Sequence, residues 1–160
     1  MIRRLSFVCL LLGALFIPAI AQADNMLMGR MPLRAEIVLE YLKESIEEHG
    51  YTIAHLQLCD GGMKDFGYKS DFYRVVFFGK ADEVRHLTEK YPEIVSYLPL
   101  KMAVIAEKDE TLLAIMNPEA LAPYFPGQEM QIQLGRWHSD LVSIFDEVRR
   151  ETAQHKPIGQ

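Results

Sequence analysis

Three groups of side chains in this sequence are of types that can do chemistry. His55 and Cys59 stand four residues apart, an imidazole and a thiol that could ligate a metal or form a redox site. On a strand, residues four apart share one face but lie about 13 Å apart at roughly 3.3 Å per residue, so one ion cannot take both without a bend. A thiol ionises and reacts where it is exposed beside a favourable charge. Met26, Met28 and Met31 form M-x-M-x-x-M, and thioethers are soft ligands that suit Cu(I). Methionine also fills irregular apolar gaps, so an edge strand packing its methionines is the leading expectation. Phe66, Tyr68, Phe72 and Tyr73 gather beside Gly61 and Gly62. Aromatics on such a loop can close over a ligand or meet another chain. They can also tack the loop to a sheet, which is favoured because exposed apolar patches are uncommon. The candidate ligand-binding residues are therefore His55, Cys59, Phe66 and Tyr68, and the candidate metal set is Met26, Met28 and Met31.

Other chemistry is excluded by what is missing. There is no G-x-S-x-G, glycine-rich phosphate loop, H-E-x-x-H or C-x-x-C, the signatures that would announce a serine hydrolase, nucleotide, zinc-protease or dithiol site. His138, Ser139 and Asp140 are triad residue types, but consecutive helical positions point about 100° apart and cannot form a relay. No catalytic residue is assigned, and no cofactor is expected; copper or haem belongs to the alternative reading. The formal charge of −5 argues against a surface built to neutralise nucleic-acid phosphates.

The residues that precede these groups read as an address. Arg3 and Arg4 are followed by an apolar run from Leu5 to Ile20, then Ala21, Gln22 and Ala23 before Asp24. A basic start, an apolar stretch and a small-x-small site make a cleavable secretory signal peptide. Pro18 shortens the run below the roughly 18 apolar residues that a span needs. Cleavage between Ala23 and Asp24 removes Cys9 and two basic residues, leaving a more acidic chain with Cys59 as its single thiol. The expected location is the periplasm, with no stable membrane span after cleavage.

The remaining 24–160 reads as one domain. The lead-in to Met31 can serve as an edge strand. Apolar positions from Leu33 to His49 recur with a 3.6-residue period, and Gly50 supplies the stop. Tyr51 to Cys59 and Phe72 to Phe78 are β-branched and aromatic strand sequences, separated by a polar loop from Asp60 to Asp71. Ala81 to Tyr91 is helical, ended by Pro92. Pro99 to Glu107 and Thr111 to Met116 form a hairpin, and Asn117 and Pro118 open a short helix as N-cap and first residue. Met130, Leu134, Trp137, Leu141, Ile144 and Val148 mark a heptad-like seam on a closing helix of about 128–152, expected to pack on its own sheet rather than on another protomer. This pattern predicts an α+β two-layer sandwich: an antiparallel or mixed sheet of four or five strands, helices on one face, plus the C-terminal helix.

Within that frame the chain resembles a known family. The carrying residues are Glu48-His49-Gly50-Tyr51, Val75-Val76-Phe77-Phe78-Gly79-Lys80-Ala81, Tyr91-Pro92-Glu93, Leu98-Pro99-Leu100-Lys101-Met102 and Asn117-Pro118-Glu119-Ala120-Leu121. In this order and spacing they resemble the domain of unknown function 302 family over about 33–125. The resemblance implies a two-layer α+β fold and a homodimer. Some members of the family carry a cysteine after the glycine of the central strand or after the Leu-Pro; here Lys80-Ala81 and Leu100 stand instead. Others have an Asp-His pair near the end of the second strand, where this chain has Cys59-Asp60. No catalytic residue carries over. The sequence is thus read as a periplasmic, non-enzymatic, homodimeric domain that binds a small ligand or a protein partner. The alternatives are a redox or metal-handling protein using Cys59 with His55 or the methionines, and a hydrolase with scattered catalytic residues.

Overall fold

The computed structural model describes residues 25–69 and 71–155. The signal segment and the cleavage position between Ala23 and Asp24 lie outside the described residues. Five strands, β1 (Met26–Met31), β2 (Thr52–Leu58), β3 (Tyr73–Gly79), β4 (Leu100–Glu107) and β5 (Glu110–Met116), form one sheet in the order β1-β5-β4-β3-β2. Every neighbouring pair is antiparallel, which narrows the expectation of an antiparallel or mixed sheet. The helices are α1 (Ala35–Glu48), α2 (Asp60–Lys64), α3 (Ala81–Lys90) and α4 (Gln128–Gln154), with 3-10 turns at Pro92–Ser96 and Pro118–Tyr124.

Local chemistry sets the element ends. Gly50, at φ 76°, closes α1 in a Schellman arrangement: its N–H donates to the carbonyl of Glu47, and that of Tyr51 to Ile46. A left-handed backbone there favours glycine. The Asn117 side chain accepts from the Glu119 N–H, as the N-cap reading expects. The polar loop after β2 differs from expectation in beginning with a short helix, α2. Asp60 at its head turns back to accept hydrogen bonds from the Tyr73 N–H and the Arg74 guanidinium, a long-range anchor that local propensity does not encode.

Helices α1 and α4 pack on each other and on the same face of the sheet. Met130, Leu134, Trp137, Leu141, Ile144 and Val148 are all buried, so the heptad-like seam is filled by the molecule's own sheet and helices. Burying such side chains contributes on the order of 1.5–3 kcal/mol each before ordering costs, enough to fix α4 in place. Alternation along the strands supplies the other half of this core: Met31, Val76, Phe78, Met102, Val104, Leu113 and Ile115 face the helices and are buried. Gly29 also faces them. A Cβ there would meet the Phe145 ring at 3.0 Å, so the missing side chain is what lets α4 approach β1.

Candidate functional site

Among the described residues, no helix packs on the opposite face of the sheet. Strand registers place its residues in rows that cross the molecule. Met28 pairs with Ala114, Ala114 with Ala103, Ala103 with Val75, and Val75 with Gln57. A parallel row runs from Arg30 through Leu112 and Ile105 to Tyr73, and another contains Lys101, Phe77 and His55. The first row has no charged side chain. Charge appears towards the margins, where Arg30 Nε donates to Glu107 at 2.8 Å. The strand interiors therefore present a broad, mostly apolar, half-buried surface, since period-2 alternation gives every strand a second face.

The candidate residues of β2 lie at one side of this surface. An irregularity between Ile53 and His55 shifts the alternation by one residue, bringing His55, Gln57 and Cys59 onto the open face. A bulge of this kind re-aims the side chains beyond it. The His55 ring lies 6.0 Å from that of Phe77, and its Nε2 is 3.2 Å from Gln57 Oε1. The Cys59 thiol sits 3.9 Å from the Gln57 carbonyl oxygen. Gln57 thus stands between His55 and Cys59 and takes contacts from both. Burial and the neighbouring Asp60 carboxylate push the Cys59 thiol up, against the opposing pull of Arg74, so the protonated form is favoured over the nucleophilic thiolate.

The aromatic loop divides. Phe72 is buried beneath the Arg74 guanidinium, which lies 4.3 Å from its ring centre. Tyr68 and Tyr73 meet edge to face at 6.2 Å. These contacts tack the loop to the sheet. Phe66 does not join them and is 86% exposed. Behind the loop lies a depression of about 590 Å³ lined by Asp60, Lys64, Gly67, Lys69 and Asp71. Burial acts to raise the Asp60 carboxyl, but the Arg74 hydrogen bond and the Tyr73 N–H outweigh it and hold the group below its usual value.

The methionines divide by face. Met26 and Met28 project from the open side, whereas Met31, at odd spacing, lies wholly buried among the helices. Their neighbour on the open face is Met116, paired directly with Met26. Sequence reasoning missed Met116 because nothing local joins β1 to β5: Met26 and Met116 pair across 90 residues of chain, and an unusual methionine at the end of a strand was the only signal. Among the described residues, no three His, Cys, Asp or Glu side chains are grouped to hold a metal ion.

A second polar cluster was also unanticipated. Glu129, at the head of α4, accepts from Lys90 Nζ, from Tyr91 Oη at 2.8 Å and pairs with His86 Nε2 at 2.8 Å. Those partners hold its carboxyl down at about 2, Lys90 foremost, then His86 and Tyr91. Nearby, Glu83 accepts from the Trp137 indole at 3.1 Å and pairs with Arg136 at 3.0 Å. The cleft between α3 and α4, about 650 Å³, is rimmed by these pairs. The hydrogen bonds and ion pairs of the cluster tie α3 and the residue after it to α4. His138 and Asp140 part company: His138 Nδ1 lies 2.9 Å from Asn117 Oδ1, while Asp140 accepts from the Tyr51 hydroxyl at 2.7 Å. They form no relay, as the helical spacing requires.

The model of the family described as domain of unknown function DUF302 matches residues 30–148, reaching beyond 33–125 to include the end of β1 and most of α4. Among solved structures, a DUF302 protein from Bacillus stearothermophilus superposes with a TM-score of 0.69 at 15% identity, over 79% of this chain and 100% of that one. At that identity the likeness is one of fold. No curated protein matches the chain.

Proposed function

The chain belongs to the DUF302 family, and from that premise we propose that it is an exported, non-enzymatic binding domain that assembles as a homodimer through the open face of its sheet. The observation that carries this reading is the uncharged row from Met28 through Ala114, Ala103 and Val75 to Gln57, on a face that no helix among the described residues covers. Strand spacing and rise give that face a projected extent of roughly 24 by 20 Å. That is about 480 Å² in projection, so the polar margins must join the apolar centre to approach the roughly 800 Å² per partner of a standard interface. A small ligand calls for a concavity that encloses it, and a broad sheet face is better matched by another sheet face. A second copy brings the same apolar centre and the same polar margin, as a two-fold interface requires. Export to the periplasm rests on Arg3, Arg4, the apolar run and the Ala21-x-Ala23 site.

The redox alternative has less support. His55 and Cys59 are separated by Gln57, and the thiol is pushed towards its protonated form. Sedimentation velocity of the exported protein tests the assembly, with Val75→Lys and Ala103→Lys as comparisons. We expect a dimer that becomes a monomer in both variants without loss of far-ultraviolet circular dichroism. A wild-type monomer at all concentrations overturns the proposal, as does a dimer indifferent to both lysines. Mass spectrometry of the exported protein should place its first residue at Asp24.

A further inference from the structure

We infer that Met26, Met28 and Met116 form a three-thioether site for a soft monovalent cation, Cu(I) or its analogue Ag(I), at the outer edge of the open sheet face. The three contrast with Met31, Met102 and Met130: those are fully buried, whereas Met26, Met28 and Met116 are 41, 63 and 46% exposed. All three exposed residues fall on one face of one strand pair. Met26 and Met116 are direct cross-strand partners, and Met28 follows Met26 by two residues on the same strand, opposite Ala114.

Cβ atoms of direct cross-strand partners lie about 4.5–5.5 Å apart, and diagonal neighbours about 7–8 Å or somewhat less. Each methionine has three rotatable side-chain bonds, so three sulfurs from these positions can converge on one ion. The small side chain of Ala114, opposite Met28, leaves that space open. The donors are neutral and polarisable. They favour a soft cation of low charge over Zn²⁺ or Mg²⁺, which prefer nitrogen, thiolate or oxygen ligands. The sequence pattern M-x-M-x-x-M offered Met31 as the third ligand; alternation places it on the other face, and the β1–β5 register supplies Met116 instead. Packing alone explains a buried methionine. It does not explain three thioethers left in solvent at adjoining positions.

The site shares Met28 with the outer end of the proposed dimer face, and the two are read by separate measurements. The purified protein is titrated anaerobically with Cu(I) against a chromogenic Cu(I) chelator, with ascorbate present, alongside Met26→Leu, Met28→Leu, Met116→Leu, Met31→Leu and Cys59→Ser. Leucine retains bulk and removes only the sulfur. The expected result is one Cu(I) per chain, affinity lowered tenfold or more by each of the first three substitutions, and affinity unchanged by Met31→Leu and Cys59→Ser. Absence of Cu(I) uptake overturns the inference. So does wild-type affinity in Met116→Leu, or an equal loss in Met31→Leu or Cys59→Ser. Sedimentation of the same samples reads the assembly on its own: a monomer that binds Cu(I) keeps the site and removes the dimer, and a dimer that binds none does the reverse.

Discussion

Val75 and Val76 are adjacent residues of the same type in the same central strand, yet they belong to different parts of the molecule. Val76 points towards α1 and α4 and is fully buried; Val75 points to the open face and is half-buried. The same division runs across the sheet, with Val104 opposed to Ala103 and Leu113 to Ala114. Larger side chains dominate the covered face and smaller ones the centre of the open face, which keeps that centre flat. The covered face has its partners within the chain and holds the fold. The open face has comparable apolar character at its centre but no covering element among the described residues, and this is why the proposed functions are placed there.

The comparison can be broken most severely from the covered side. Leu141→Ala removes a fully buried side chain of α4 and should cost about 2–5 kcal/mol of stability in denaturant unfolding. Val75→Ala on the open face should cost about 1 kcal/mol or less in the monomer, so similar losses at the two sites would erase the distinction. A smaller effect is expected where the two layers approach most closely. Gly29→Ala places a Cβ 3.0 Å from the Phe145 ring and 3.2 Å from the Met31 methyl, and such overpacking costs about 1–3 kcal/mol. Pairing it with Phe145→Leu should recover part of the loss; a stabilised Gly29→Ala would show that β1 and α4 are not held so tightly.

The smallest effect concerns the exposed strap between α3 and α4. The Glu129 carboxyl is held down at about 2, below its unfolded value, so its contribution is present above about pH 4.5 and is lost as pH falls towards 2. Being solvent-exposed and screened, it should be minor. Wild-type and Glu129→Gln proteins should differ slightly in melting temperature at pH 6 and converge near pH 2. A difference that persists at pH 2 would show that the pairs with Lys90 and His86 are not its source.

Much of the fold was legible because the responsible forces are local. The 3.6-residue period of 33–49, the stop at Gly50, the cap at Asn117 and the seam from Met130 to Val148 are properties of short segments. The resemblance drew on the order of such segments. The candidate site was legible only in part. His55 and Cys59 were expected to share a face, and they do, but the bulge at Ile53/His55 and the intervening Gln57 are what fix their surroundings. The aromatic loop was expected to be tacked to the sheet, which describes Tyr68, Phe72 and Tyr73 and omits Phe66.

By itself, then, the sequence determined which segments are the five strands and the three longer helices, which stripe of the closing helix is apolar, and that no motif for a familiar hydrolase, nucleotide or dithiol site is written in it. The tertiary structure decided which faces meet. It placed Met116 beside Met26, moved Met31 to the other side of the sheet, joined Asp60 to Arg74 and, among the described residues, left one sheet face without a helix. Periodicity can tell that a strand has two faces, but strand order and register are settled by contacts between residues far apart in the chain, and those depend on how all the layers pack at once.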